Sequence, residues 1–339
     1  MKKVNLLAII AISFSLSSLV SCTTDLTGTT DASLTATATD EGQAAAVNDQ
    51  IVSTADDYVN VLDASGYQAV KSSTDTNPEK TSIKITMDSV VITVDRVGLN
   101  DYPKNICLDF GTGVTVKRGN RLKGKIYITV SAKMNIANST RTFTFSNFYV
   151  NDNQLKGGKT VTFKGYTDLQ EPYWRIIAKD TLVRTDGTKV IWNTERTRTR
   201  IGTNNTPLIY WDDIYSITGS SSGVNAKGVA YSMVIQDSNP LIISGNYPYF
   251  TKGSVVITTD SKTVLVDYGD GTKDNKATAT VNGVTKEFTL KKINSKVLIQ
   301  KRSVDSFRQA SFKFKQMIYS FISSIYCLSE FTLSSGVKI

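Results

Sequence analysis

No histidine occurs anywhere in the 339 residues. That absence excludes Ser-His-Asp triads, Cys-His nucleophile pairs, histidine proton shuttles and most catalytic zinc sites, all of which need imidazole as base or ligand. Cysteine is nearly as scarce: Cys22, Cys107 and Cys327 are the whole set, too few for a disulfide-stapled scaffold. A Cys107–Cys327 bridge is open to an oxidising compartment, but Cys107 lies in an alternating apolar run, where a buried thiol is the better reading. The N-terminal apolar run, Leu6 to Val20, is short for a membrane span.

That run is nevertheless the most informative stretch. Lys2 and Lys3 precede it, and it ends in Leu19-Val20-Ser21-Cys22, the layout of a bacterial lipoprotein signal: a basic start, a short apolar segment, then small residues before a cysteine. Residues 1–21 are read as the signal peptide and Cys22 as the lipidation site, in preference to an ordinary secretory signal or an uncleaved anchor. Two or three acyl chains on one residue hold a protein stably on a membrane. The expected partner is therefore the membrane, through the N-terminal lipid, and the expected location is the cell envelope. Thr23, not Asp, follows the cysteine, which favours the outer membrane and leaves the periplasmic or surface side open. Residues 22–39 are rich in Thr, Ser and Ala and read as a flexible tether. The formal charge is +9 and falls by two when Lys2 and Lys3 leave. A basic envelope protein suits anionic lipid, lipopolysaccharide phosphate or acidic glycan, and not nucleic acid.

Residues 40–66 predict a helix. Asp40 and Gln43 have capping-box spacing, and Val47, Ile51, Ala55, Tyr58 and Leu62 fall on one face. That stripe must lie on a sheet or on a partner protein. From residue 80 to 292 the pattern changes to period two, with runs such as "GKIYITVSAKM", "RTFTFSNFYV" and "WRIIAKDTLVR". Asn282-Gly283 and Asp186-Gly187 mark hairpin turns. With no helical stripe between strands, the fold class is all-β: an antiparallel meander or sandwich-like sheet with one N-terminal amphipathic helix. Residues 293–339 lose the Gly-punctuated alternation and read as an atypical tail, either an amphipathic cap or a shifted frame past a natural end near Lys292.

Three constellations are candidate sites. "TERTRTRI" puts Arg196, Arg198 and Arg200 on one face of a strand, a guanidinium ladder for sulfate, phosphate or uronate; the alternative is a solvent-facing row paired with neighbours such as Asp212 and Asp213. The aromatics Trp174, Trp192, Trp211, Tyr247, Tyr249 and Phe250 form either a sugar-stacking platform or packing residues. Two Asp-aromatic-Gly segments, "DFGTG" from Asp109 and "DYGDGT" from Asp267, suggest an internal repeat around residues 106–164 and 255–291. Asp267, Asp270 and Asp274 offer oxygens to calcium, yet their spacing misses a calcium loop, and Asp bonding to backbone amides in Gly turns explains both copies. No other cofactor is implied.

The segments "DFGTG", "FSNFYVN", "ITGSSSG" and "DYGDG", in that order across Thr81 to Lys292, resemble a group of Bacteroidetes cell-envelope lipoproteins. The resemblance implies a lipid-anchored β protein and transfers no catalytic residue. "DYGDGT" is also similar, over a few residues, to the signature of PKD-type modules, whose downstream histidine motif cannot exist here. The expectation is a non-enzymatic binding or structural lipoprotein for glycan, lipopolysaccharide or an envelope protein partner. The rival is a carboxylate-based glycan hydrolase using two of Glu171, Glu195, Asp212 and Asp213.

Overall fold

The helix α1 (Ala32–Ala64) is built from a chain segment without proline, in which Ala, Leu, Val and Ile recur through every turn. In the computed structural model its whole circumference is covered. Val47, Ile51, Ala55, Tyr58 and Leu62 are buried as their spacing predicts, but so are Glu41, Asn48, Asp49, Gln50 and Ser53 between them. The structure describes residues 32–64, 82–95, 101–116, 119–202, 213–244, 247–260 and 262–290. The chain divides into units 1–295 and 296–339, and every described residue belongs to the first. The signal peptide, Cys22, Trp211, Asp212, Cys327 and the tail lie outside the described residues.

The sheet runs as β1 (Ser82–Met87), β2 (Val90–Asp95), β3 (Lys104–Asp109), β4 (Val114–Thr115), β5 (Arg121–Val130), β6 (Thr140–Val150), β7 (Asn153–Tyr166) and β8 (Pro172–Val183). It continues as β9 (Lys189–Gly202), β10 (Ile214–Val224), β11 (Ala230–Ile235), β12 (Leu241–Ser244), β13 (Phe250–Thr258), β14 (Thr263–Asp270), β15 (Lys276–Val281) and β16 (Val284–Thr289). All belong to one antiparallel meander rather than to two stacked sheets. β11 and β12 act as one interrupted strand: β10 pairs β11 through Ser220–Val224 and β12 through Ile214–Ile217. The strands alternate buried and exposed, as in β11, where Tyr231, Met233 and Ile235 are buried and Ala230, Ser232 and Val234 exposed, so one face is dry and the other wet.

The dry face wraps α1. Residues contacting the helix come from far apart along the meander: Tyr102 beside β3, Arg141 on β6, Lys159 on β7, Arg196 on β9 and Tyr231 on β11. On β14, Tyr268 approaches so closely that a Cβ on Gly42 would stand 3.3 Å from its hydroxyl. Bulges give the sheet its curl. The β5–β6 register shifts between Lys123 and Lys125, where Gly124 has φ +86° and a Cβ would stand 1.9 Å from the Asn147 carbonyl oxygen. Gly253 does the same between Lys252 and Ser254. No helix among the described residues is long and apolar enough to cross a membrane.

Three expectations change. The tether does not extend to residue 39: Ala32–Thr39 are helical, and Leu34, Thr37 and Ala38 are buried. Their Thr/Ala composition reads as flexible in isolation, but here tertiary partners close over it, and Asn225 Nδ2 donates to Thr37 Oγ1 at 2.8 Å. The helix also has no wet face with which to dock a partner, because the sheet supplies polar partners to its polar side. Cys107 is a free thiol, half-buried on the outer face between Thr93 and Tyr127 instead of in the core. Burial pushes its pKa up, against the opposing charge of Lys125.

Candidate functional site

A cavity of about 330 Å³ opens beside the C-terminal half of α1. The helix contributes Val52, Asp56, Asn60 and Asp63, which successive turns bring to one side. The sheet contributes a transverse row set by register: Phe163 on β7 pairs with Trp174 on β8, and Trp174 with Arg198 on β9. Beside that row, Arg200 pairs with Tyr215 on β10. Directly opposed residues on one sheet face are in contact range, and the Phe163 and Trp174 ring centroids are 5.7 Å apart. Lys133 and Met134 of the β5–β6 connection and Tyr166 at the end of β7 complete the wall.

The cavity is cationic. Lys133, Arg141, Arg198 and Arg200 line it against two carboxylates, Asp56 and Asp63. Arg141 is ion-paired with Asp56, and Asp63 accepts from the Tyr102 hydroxyl at 3.0 Å. Arg200 lies 3.5 Å from Asp213, which also accepts from the Tyr215 hydroxyl at 3.2 Å. Burial pushes the Tyr215 phenol up to about 12, with Arg198 opposing the shift, so the ring stays neutral. Arg198 is held differently. Its guanidinium stacks 3.5 Å over the Tyr215 ring and its Nη2 donates to Ser53 Oγ at 2.8 Å, while its buried Nε has no acceptor in the protein. A guanidinium held by an aromatic face and a hydroxyl, with no carboxylate of its own among the described residues, keeps its positive charge beside the cavity.

Arg196, Arg198 and Arg200 share a face, as alternation requires, but it is the inner one. Arg196 is withdrawn from ligand binding: Glu41 on α1 takes Arg196 Nη2 at 2.6 Å, Trp192 Nε1 at 2.7 Å and the Tyr231 hydroxyl at 2.9 Å. Arg198 and Arg200 reach the cavity. The expected alternative of a solvent-facing arginine row is overturned, because the opposing helix supplies the polar partners. The parity was a legible signal, since Val190, Trp192 and Thr194 continue the same face; Ile191 and Ile201 on the other face obscured it.

The aromatics do not build one platform. Trp174 lines the cavity, Trp192 is core, Phe250 packs against Tyr268, and Tyr247 meets Tyr249 edge-on. Arg141, Phe163, Tyr166 and Tyr215 join the site although no motif marked them; inward parity could have marked Arg141, Phe163 and Tyr215, whereas Tyr166 falls out of parity beyond the register shift between Phe163 and Gly165. Among the described residues the proposed hydrolytic acids do not converge. Glu195 is on the outer face with Arg175 Nη2 at 2.7 Å, Asp213 is buried on the inner face, and Glu171 sits in the β7–β8 turn with Thr167.

The aspartate segments are turns. Asp109 Oδ1 accepts from Gly111 N–H at 2.9 Å, and Asp267 Oδ1 from Gly269 N–H at 2.7 Å. Asp270 and Asp274 each accept from the backbone N–H two residues on. That local use is ordinary turn geometry for Asp267, Asp270 and Asp274; among the described residues no three His, Cys, Asp or Glu side chains group in the way that holds a metal. Comparison with protein-family models, with curated proteins and with solved structures finds no match for this chain.

Proposed function

We propose that this chain is a lipid-anchored cell-envelope protein, held to the outer membrane through Cys22, whose β body binds an anionic glycan. The observation that carries the reading is the cavity, in which Trp174 and Tyr215 stand beside Arg198 and four cations, Lys133, Arg141, Arg198 and Arg200, face two carboxylates, Asp56 and Asp63. Aromatic faces suit the apolar face of a sugar ring, and a guanidinium suits a carboxylate, phosphate or sulfate on it. The volume, about 330 Å³, matches the lower range of small-ligand sites, so the cavity takes one terminal residue of a chain. A lipopolysaccharide sugar phosphate belongs to the same chemical class.

The test is a glycan array probed with the full chain in detergent, at low and moderate salt and with or without calcium. Retention on acidic glycans, weakened by salt and roughly tenfold weaker for Trp174→Ala, is the expected result. Calcium dependence would restore the aspartate turns as a metal site, and no retention on any glycan would shift the reading to a structural or protein-partner role. Fractionation of cells carrying Cys22→Ala tests the anchor: the variant should leave the membrane pellet.

A further inference from the structure

Away from the cavity, the contact between α1 and β7–β8 holds three side chains that the binding reading does not use. Lys159 on β7 and Asp180 on β8 point inward with side-chain exposures of 0% and 2%, and Asp180 Oδ2 lies 3.3 Å from Lys159 Nζ. Lys159 Nζ is also in contact with Asn48 Oδ1 on α1. The Asn48 amide is oriented by its own helix, with Nδ2 donating to the Ala44 carbonyl at 3.0 Å. The Phe145 ring centroid lies 5.5 Å from Nζ, closing the group off from water.

We infer that Lys159 and Asn48 join in an intramolecular isopeptide bond, with Asp180 as the catalytic acid and base. An amine and a carboxamide are held in contact in a dry site beside a carboxyl group, which is the arrangement an amide exchange needs. The lone pair of the neutral Lys159 amine attacks Asn48 Cγ, while the Asp180 carboxyl gives its proton to Oδ1. The proton released from Nζ passes through Asp180 to Nδ2. The Cγ–Nδ2 bond then breaks as the carbonyl reforms, ammonia leaves, and Asp180 regains its proton. One C–N bond forms, one breaks, and nothing is oxidised or reduced.

The electrostatics favour the reactive forms. Burial lowers the Lys159 pKa, against the opposing charges of Asp180 and Asp49, and burial raises that of Asp180, against Lys159, Asn48 and the Gly158 backbone. Both shifts move the pair toward neutral amine and protonated acid, the states that attack and donate. The product would replace the buried Lys159–Asn48 contact with a neutral covalent link between the central helix and the sheet.

Peptide mass spectrometry on the full chain decides it. Digestion should yield a branched peptide in which Lys159 resists trypsin and is joined to Asn48, lighter than its two linear parts by one ammonia. Recovery of both linear peptides, with Lys159 cleaved and the Asn48 amide intact, would overturn the inference. So would conversion of Asn48 to Asp with Lys159 free. Because the native chain alone gives the answer, the result does not depend on a variant folding. Asp180→Asn and Lys159→Met should each abolish the branched peptide, and its persistence in either would remove the assigned roles.

Discussion

Arg196 and Arg175 show how much the position of a residue outweighs its chemistry. Both lie in the same region of the sheet and form ion pairs with glutamate, Arg196 with Glu41 on α1 and Arg175 with Glu195 on β9. The first pair is buried and the second is solvent-exposed. Glu41→Ala would strand a buried guanidinium and leave Trp192 and Tyr231 without their acceptor, so denaturant unfolding should show a loss of about 3–5 kcal/mol. Arg175→Ala, on the wet face, should cost less than about 1 kcal/mol. Equal losses for the two would contradict the assignment of the faces. In the sequence the two arginines look alike except for strand parity, and the residue across the fold decides what each one's charge meets.

Turns are where the elements were most legible. The Asn282-Gly283 hairpin joins β15 to β16, with both residues at positive φ, and Asp186 accepts from the Thr188 N–H at 2.9 Å in the β8–β9 turn. Such aspartates tie pH to stability. The Asp109 carboxyl is held below its ordinary value first by Lys125 and then by the Gly111 N–H. Asp186 is lowered by the Thr188 hydroxyl and N–H, and Asp270 by the Thr272 N–H. Carboxyls that titrate lower when folded contribute stability that is complete above the unfolded value, about 3.9, and is lost as pH falls through the folded values. Asparagine keeps the accepting oxygen and removes the charge, so an Asp109, Asp186 and Asp270 to Asn triple variant should lose Tm less steeply below about pH 4. An unchanged slope would remove these turns as the source. The bulges, in contrast, were hidden, because glycine marks both turns and bulges. Gly124→Ala, which must accommodate φ +86° and a backbone oxygen, should destabilise by about 1–3 kcal/mol in thermal unfolding.

At the scale of the whole molecule, α1 is the interior of the sheet and not an ornament on it. The dry face carries Arg141, Lys159, Arg196 and Arg198, whose partners Asp56, Asn48, Glu41 and Ser53 all lie on the helix. A chain beginning after Ala64 should therefore fail to form the sheet, seen as loss of the far-ultraviolet β signal or as aggregation, and in the intact protein α1 amides should exchange among the slowest. A β body that stays folded without the helix would refute this arrangement. Sequence by itself determined the elements: period-two alternation, turn residues and one helical stripe are local properties, each set by neighbours a few positions away. It could not determine that the helix lies within the sheet, because the amphipathic stripe at Val47, Ile51 and Ala55 is the same whether the polar side meets water or Arg196 and Lys159. Only tertiary structure decided that, and with it the cavity at Arg198 and the meeting of Lys159 with Asn48, since burying a charge is favourable only when a distant residue arrives to pair with it.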